Sequence, residues 1–307
     1  VDLAALRAGG KPALARALSR AEVAAREAET ARFLDEAHRA AKAHVLGLTG
    51  PPGVGKSTLV NALIARRRKA GETVGVVAVD PSSRRSGGAL LGDRARLDTD
   101  PEDDGVFVRS LAARDRLGGL SEFAIAAMVL MRAVKDAVIL ESVGIGQSEA
   151  DIAFACDTVI LCVQPGSGDA LQFMKAGVME LPHVIAVTKA DLGTMAVRAR
   201  ADVEGALSLA ARAGDDWIPR VVMLSAARGD GLDALEDAVA AHRQHLAEKG
   251  RGIAQRRAQA AAWIADAVTA EFGRAGLARL AAQLPIAPAD APFAAIQAAF
   301  ALLGSAR

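Results

Sequence analysis

One eight-residue segment constrains this chain more than any other: Gly50-Pro51-Pro52-Gly53-Val54-Gly55-Lys56-Ser57. It follows an apolar, β-branched run (Val45–Thr49) and opens an amphipathic stretch (Ser57–Ala70), which is the G-x-x-x-x-G-K-[ST] pattern in strand–loop–helix context. Gly50, Gly53 and Gly55 let backbone N–H groups turn inward and approach phosphate oxygens without Cβ obstruction. The helix N-terminus, with Val54 leading into it and Thr58 in its first turn, adds unpaired donors and a positive dipole end facing the same anion. Lys56 is placed to reach the β- and γ-phosphates, and the Ser57 hydroxyl to ligate Mg²⁺. A dinucleotide fingerprint fits worse, because G-x-G-x-x-G gives Lys-Ser no role. The segment reads as a nucleoside-triphosphate site.

Such a loop requires a sheet, and the central sequence supplies one. Val45–Thr49, Val74–Val79, Val106–Ser110, Ala137–Glu141, Thr158–Val163, Val184–Thr188 and Val221–Leu224 are short apolar runs. Helix-length segments such as Ser57–Ala70, Glu122–Lys135 and Val197–Ala213 alternate with them. Continuous apolar strands alternating with helices predict a doubly wound, mostly parallel sheet with both faces covered. Residues 1–43 read as an N-terminal extension of two helices broken near Gly9–Gly10, residues 44–247 as the nucleotide domain, and residues 248–307 as a C-terminal helical arm. The arm comprises a long helix Ile253–Phe272 and shorter ones at Leu277–Leu284 and Ala291–Leu303, split by a turn at Pro285–Pro288. A tail of that size has little core of its own, so it must dock or pair with a second copy, and pairing is the expectation.

Composition excludes several classes. A net charge of +1 and 3% aromatic residues give no electrostatic footprint and few stacking platforms for nucleic acid. No apolar run reaches the roughly 18 residues that span a bilayer; Asp157 interrupts the run from Ile152 to Val163. The start lacks the plan of a signal peptide, and it also lacks a Met, so a short leader could have been removed. Cys156 and Cys162 are expected to be small buried hydrophobes in a reducing compartment, the cytoplasm. The pair His242 and His245 is expected on a solvated helix face, and the cluster Arg66–Lys69 as cations at a helix C-terminus.

Ligands of an open parallel sheet bind beyond the carboxyl ends of its strands. Two candidate strands end there in a carboxylate, Asp80 and Glu141, as a Mg²⁺ site beside a phosphate loop requires; an N-cap at Asp80 and a chance acidic terminus at Glu141 are the alternatives. Asp93, after Gly92, is a further acidic candidate on spacing alone. Gly144 stands three residues after Glu141, as in the D-x-x-G switch of GTPases with Glu in first place, and its N–H is placed to sense a γ-phosphate. Lys56, Glu141 and Gly144 are thus the candidate catalytic groups. Ile145 stands where many GTPases carry a water-orienting Gln, and Gln147 comes two residues later. Slow unaided hydrolysis, completed by a partner or a second subunit, is the expectation.

Base choice follows from Thr188-Lys189-Ala190-Asp191, which resembles the [NT]-K-x-D motif. Its Asp accepts from guanine N1–H and the 2-amino group, whereas adenine offers no matching donors and would leave a buried Asp unpaired. Lys189 packs its stem along the base plane. Ser225-Ala226-Ala227, after the last strand, resembles the loop whose backbone contacts the guanine oxygen. A plain strand-to-helix turn with Asp191 as a cap is the alternative.

Together with Asp80-Pro81-Ser82-Ser83, Ser86-Gly87-Gly88, Gly92-Asp93, Glu141–Glu149 and Pro165–Asp169 with Gln172, these motifs resemble the MeaB/ArgK group of P-loop GTPases. The likeness spans roughly Val45 to Leu246. It implies a chaperone for an adenosylcobalamin-dependent acyl-CoA mutase such as methylmalonyl-CoA mutase, with GTP and GDP as ligands and a homodimer formed through the C-terminal arm. It implies Ser57, Asp80, Asp93 and Glu141 around Mg²⁺, switches at Asp80–Asp93 and Glu141–Glu149, and a third, partner-sensing switch at Gly166–Gly177. In that third segment Asp169 and Lys175 are placed to exchange salt-bridge partners. No D-x-H-x-x-G cobalamin motif occurs, so contact with the mutase rather than cofactor carriage is expected. Arg109–Gly119 departs from the Pro-Ser-rich segment common in close methylmalonyl-CoA mutase chaperones, which points to a related mutase, for example one acting on isobutyryl- or hydroxyacyl-CoA. The rival classes are a metabolite kinase or transport ATPase, a nickel-insertion GTPase, and a non-catalytic nucleotide-binding scaffold.

Overall fold

Strand β1 (His44–Thr49) lies at the centre of a seven-stranded sheet, with β4 (Ala137–Glu141) on one side and β5 (Thr158–Val163) on the other, both parallel to it. Beyond β4 come β2 (Val74–Pro81) and β3 (Val106–Ala113); beyond β5 come β6 (Val184–Val187) and β7 (Arg220–Met223). Every pairing is parallel, in the order β3-β2-β4-β1-β5-β6-β7. The computed structural model describes residues 2–81, 97–113, 120–142, 152–166, 181–209, 217–283 and 290–304. The expected doubly wound sheet is present, with strands close to the expected runs.

Alternation along each strand divides the core. Leu46, Leu48, Val76, Ile139 and Ile160 turn to one face, where α4 (Lys56–Lys69) and α7 (Leu232–Ala247) bring Leu59, Leu63, Leu235 and Val239. Val45, Val77, Val138, Leu140 and Val159 turn to the other, against α5 (Glu122–Val134). On that second face α6 (Thr194–Leu209) covers Leu161, Val163, Ile185 and Val187. Three of the cations ending α4 pair with other segments, Arg66 with Asp233 and Glu236 of α7, Arg67 with Glu72 and Arg68 with Asp103. Among the described residues, no helix is long and apolar enough to cross a membrane.

The N-terminal extension is three helices rather than two: α1 (Leu3–Ala8), α2 (Gly10–Ala24) and α3 (Ala28–Arg39). The break at 25–27 carries no Gly or Pro to announce it. The buried stripe of α2 (Leu14, Ala17, Leu18, Ala21) ends with Val23 in solvent, the buried stripe of α3 includes Phe33, Leu34 and Ala37, and both helices pack against α5. Leu14, Leu18 and Leu34 are fully buried, each worth about 1.5–3 kcal/mol.

The C-terminal helices also dock. Helix α8 (Arg251–Gln283) bends at Gly273, as expected between its two parts. Its first half lays Ala260 and Trp263 into the domain core and donates to carbonyls of residues 153–157: Gln259 to Ala153 and Cys156, Gln255 to Cys156 and Asp157, and Trp263 Nε1 to Phe154 at 2.7 Å. Helix α9 (Pro292–Gly304) packs on the second half, and its first-turn N–H groups at Phe293 and Ala294 donate to the Asp35 carboxylate. The arm therefore docks on its own domain, while Ile253 in its first turn stays exposed.

Asp157, read from sequence only as a break in an apolar run, forms a buried ion pair with Arg132 at 2.7 Å, both side chains 3% exposed. Its second oxygen accepts from the Val45 N–H. Removing one partner of such a pair costs about 3–5 kcal/mol, because the other charge stays buried alone. His242 departs from its expected solvated position. It is buried, stacked on His183 with ring centroids 3.9 Å apart, and bonded through Nδ1 to the Thr158 hydroxyl, which also meets His44 Nε2. Its helix face turns toward the amino ends of β5 and β6, opposite the phosphate loop. Cys156 and Cys162 are buried as expected.

Candidate functional site

The phosphate loop leaves the carboxyl end of β1 and enters α4 through Gly55, whose φ of 102° lies where a side chain is strained. Gly50 is more tightly bound to glycine: its φ is 135°, and a Cβ there would stand 2.3 Å from the Cys162 carbonyl oxygen of β5. The Val54 side chain is buried in the core beneath α4, while Gly53 and Thr58 face solvent. Lys56 is 6% exposed; its ammonium donates to the carbonyls of Gly50 at 2.7 Å and Pro51 at 3.2 Å, within the loop it closes. Burial pushes the neighbouring Cys162 thiol up to about 12, so it is no nucleophile.

The structure brings Ser57 and Glu141 together: the Ser57 hydroxyl donates to Glu141 Oε1 at 3.0 Å. Glu141 is the last residue of β4, in register with Leu48 of β1 and Ala78 of β2, which sets its buried carboxylate beside the start of α4. Asp80 lies two residues beyond Ala78 on β2, at the same edge of the sheet. A hydroxyl and a carboxylate next to a phosphate loop suit Mg²⁺, which takes one or two carboxylates plus phosphate oxygens. Asp93, Gly144, Gln147, Asp169, Gln172 and Lys175 lie outside the described residues.

The base motif is tied to the phosphate loop. The Thr188 hydroxyl is within hydrogen-bonding distance of two carbonyls, Val54 at 2.8 Å and Val163 at 3.0 Å, so the end of β6 is stitched to the loop and to β5. The Lys189 ammonium donates to the Gly53 carbonyl at 2.9 Å. Asp191 is exposed, and a hydrogen bond from Ser225 holds its carboxyl below the usual carboxylate range, with Arg228 and Lys189 adding attraction. Ser225 is buried and fixed by backbone bonds with Asp230, while Ala190 N–H donates to the Leu224 carbonyl, joining the two loops. Ala226 packs against the core and Ala227 is exposed. Sequence reading missed two groups. Gln164, the first residue past β5, accepts from Lys189 at 2.6 Å, and Ser142, just past β4, donates to Thr49 at 2.9 Å. Both are polar residues that directly follow apolar strands, which was the available signal.

A loop built for phosphates, tied by Thr188 and Lys189 to a second loop that carries an exposed carboxylate at the carboxyl edge of a parallel sheet, is the arrangement of a P-loop GTPase, and this chain is one. Comparison with known proteins narrows the class. The family model for the methylmalonyl-CoA mutase-associated GTPase MeaB matches residues 14–278, and the chain belongs to that family. The GTPase ArgK of Escherichia coli is 38% identical over 222 residues, covering 71% of this chain and 67% of that protein. The mouse methylmalonic aciduria type A homolog, a mitochondrial protein, is 35% identical over 223 residues, covering 71% of this chain and 54% of its own length. A crystal structure of the LAO/AO transport system kinase superposes with a TM-score of 0.69 at 27% identity, covering 99% of this chain and 95% of the other.

Proposed function

We propose that the chain performs Mg²⁺-dependent hydrolysis of GTP to GDP and phosphate, and that its nucleotide state gates cofactor loading or protection of an adenosylcobalamin-dependent acyl-CoA mutase. The observation that carries the catalytic part is the Ser57–Glu141 pair at the foot of a phosphate loop that Thr188 and Lys189 tie to Asp191. Loop N–H groups bind the phosphates, and Lys56 turns its ammonium from the loop carbonyls toward the β- and γ-oxygens, where charge develops. Ser57 and Glu141, with Asp80 and Asp93 as further candidates, would hold Mg²⁺, which supplies charge neutralisation at those oxygens. Asp191 selects guanine, and Ser225–Ala227 borders its oxygen. Gly144 senses the γ-phosphate, and Asp169, Gln172 and Lys175 serve a partner-sensing segment.

The mutase role rests on family membership. We assign residues 1–43, 44–247 and 248–307 to N-terminal extension, GTPase domain and C-terminal arm, place the protein in the cytoplasm, and propose that the arm, beyond docking on its own domain, pairs two copies. The solved relative described as a transport system kinase motivates the competing reading, phosphoryl transfer from ATP to a small molecule.

One set of assays separates them. GTP and ATP turnover are compared, then repeated with adenosylcobalamin-dependent mutases. GTP preference with acceleration by a mutase is expected; ATP preference would overturn the base assignment, and no acceleration by any mutase would remove the chaperone role. Lys56→Ala should lower hydrolysis at least about a hundredfold. Unchanged partner function in that variant would favour a scaffold.

A further inference from the structure

Lys189 occupies the left-handed backbone region, φ 53° and ψ 42°, which a lysine adopts only when its surroundings hold it there. Its neighbours are tethered on both sides, Thr188 to Val54 and Val163 and Ala190 to Leu224. Its ammonium is held by two acceptors from different elements: the Gly53 carbonyl of the phosphate loop and Oε1 of Gln164 at 2.6 Å. Gln164 belongs to neither motif. It stands half-buried at the carboxyl end of β5, a strand whose six residues are all buried, so its backbone has little freedom.

We propose that Gln164 is a positioning residue for guanine-nucleotide binding: its amide oxygen fixes the Lys189 ammonium across the phosphate loop, so that the lysine stem stands ready as one wall of the base pocket. The proposal rests on the guanine-nucleotide reading and extends it to a residue outside the sequence motifs. Lysine is a flexible chain with a strongly hydrated charge, and a free one would lose its rotamer freedom each time a base arrived. A second, charge-assisted acceptor removes that cost beforehand.

The test is release of a fluorescent GDP analogue from the full chain by stopped flow, with steady-state GTP hydrolysis alongside. Gln164→Leu should speed GDP release and raise KM for GTP about tenfold, with kcat moving less than about twofold. Gln164→Glu, which keeps the acceptor, should restore both to within about threefold of wild type. Lys189→Met should speed release as well, and Gln164→Leu added to it should change little more. Wild-type release from Gln164→Leu, equal damage from Leu and Glu, or full additivity with Lys189→Met would each overturn the proposal while the nucleotide reading stands. A wild-type chain that takes up neither GTP nor GDP would overturn both.

Discussion

The Ser57 hydroxyl donates to Glu141 Oε1 at 3.0 Å, so the first turn of α4 and the last residue of β4 are joined at the carboxyl edge of the sheet. The two residues are separated by 84 positions and brought together by the β1–β4 pairing. Glu141→Gln keeps the shape and removes the charge. Its expected outcome is a roughly tenfold higher Mg²⁺ requirement and about a hundredfold slower hydrolysis, read by phosphate release against metal concentration. Chelation of Mg²⁺ should stop wild-type turnover. Wild-type metal dependence in the variant would assign the metal elsewhere.

A hydrogen bond from Ser225 holds the Asp191 carboxyl below the usual carboxylate range, and in the proposed function that carboxylate accepts from the donor-bearing edge of guanine. Asp191→Asn offers donors instead, which suit the extra carbonyl of xanthine. GTP affinity should fall at least about a hundredfold while XTP affinity rises, measured by competition against a fluorescent nucleotide. Equal loss for both nucleotides would mean that Asp191 shapes the loop and does not read the base.

Gly50 cannot carry a side chain. Gly50→Ala meets both a φ of 135° and a contact of 2.3 Å with the rigid Cys162 carbonyl. A loss of about 2 kcal/mol or more in unfolding free energy is expected, together with lost nucleotide binding. Gly53→Ala, with no heavy atom within 4 Å of the added carbon, should be milder despite its positive φ. Denaturant midpoints of the two variants decide.

Acid should destabilise the protein well before its surface carboxylates titrate. Burial pushes the His44 imidazole down to about 4 and His242 to about 2. The unfolded chain takes up these protons as pH falls through about 6.5, while the folded chain resists them. The contribution is therefore complete above pH 6.5 and is lost as pH drops toward about 4; for His44 it amounts to about 3 kcal/mol at most. Asp136, drawn down to about 2 by Lys42 and then Thr73, acts in a lower window, below about pH 3.8. Urea midpoints from pH 7 to 4.5 should fall steadily, and His44→Gln should make the slope shallower. A flat profile in wild type would contradict the buried neutral state.

The strands, the phosphate loop and the base motif were legible because their signals are local. A strand reads as a short apolar run, and a loop that must cradle phosphate needs glycine at fixed offsets next to a helix start. Glu141 was legible for a related reason, an acid ending an apolar strand. The break between α2 and α3 was not, because no Gly or Pro at 25–27 announces it; two separate apolar stripes pack against α5 on either side of it. His242 shows the same limit. A histidine near the end of an amphipathic helix reads as solvated, and its burial depends on Thr158 and His183 waiting at the amino ends of two distant strands.

By itself, then, the chain's order of residues determined the nucleotide chemistry and the layered parallel sheet, since backbone preferences and motif geometry act over a few positions. Only the tertiary structure decided which distant polar groups share a bond: Gln164 with Lys189, Arg132 with Asp157, and the first half of α8 with residues 153–157. The physical reason is that a buried or half-buried polar atom is satisfied by whatever partner folding brings within about 3 Å, and that partner is set by the packing of whole elements.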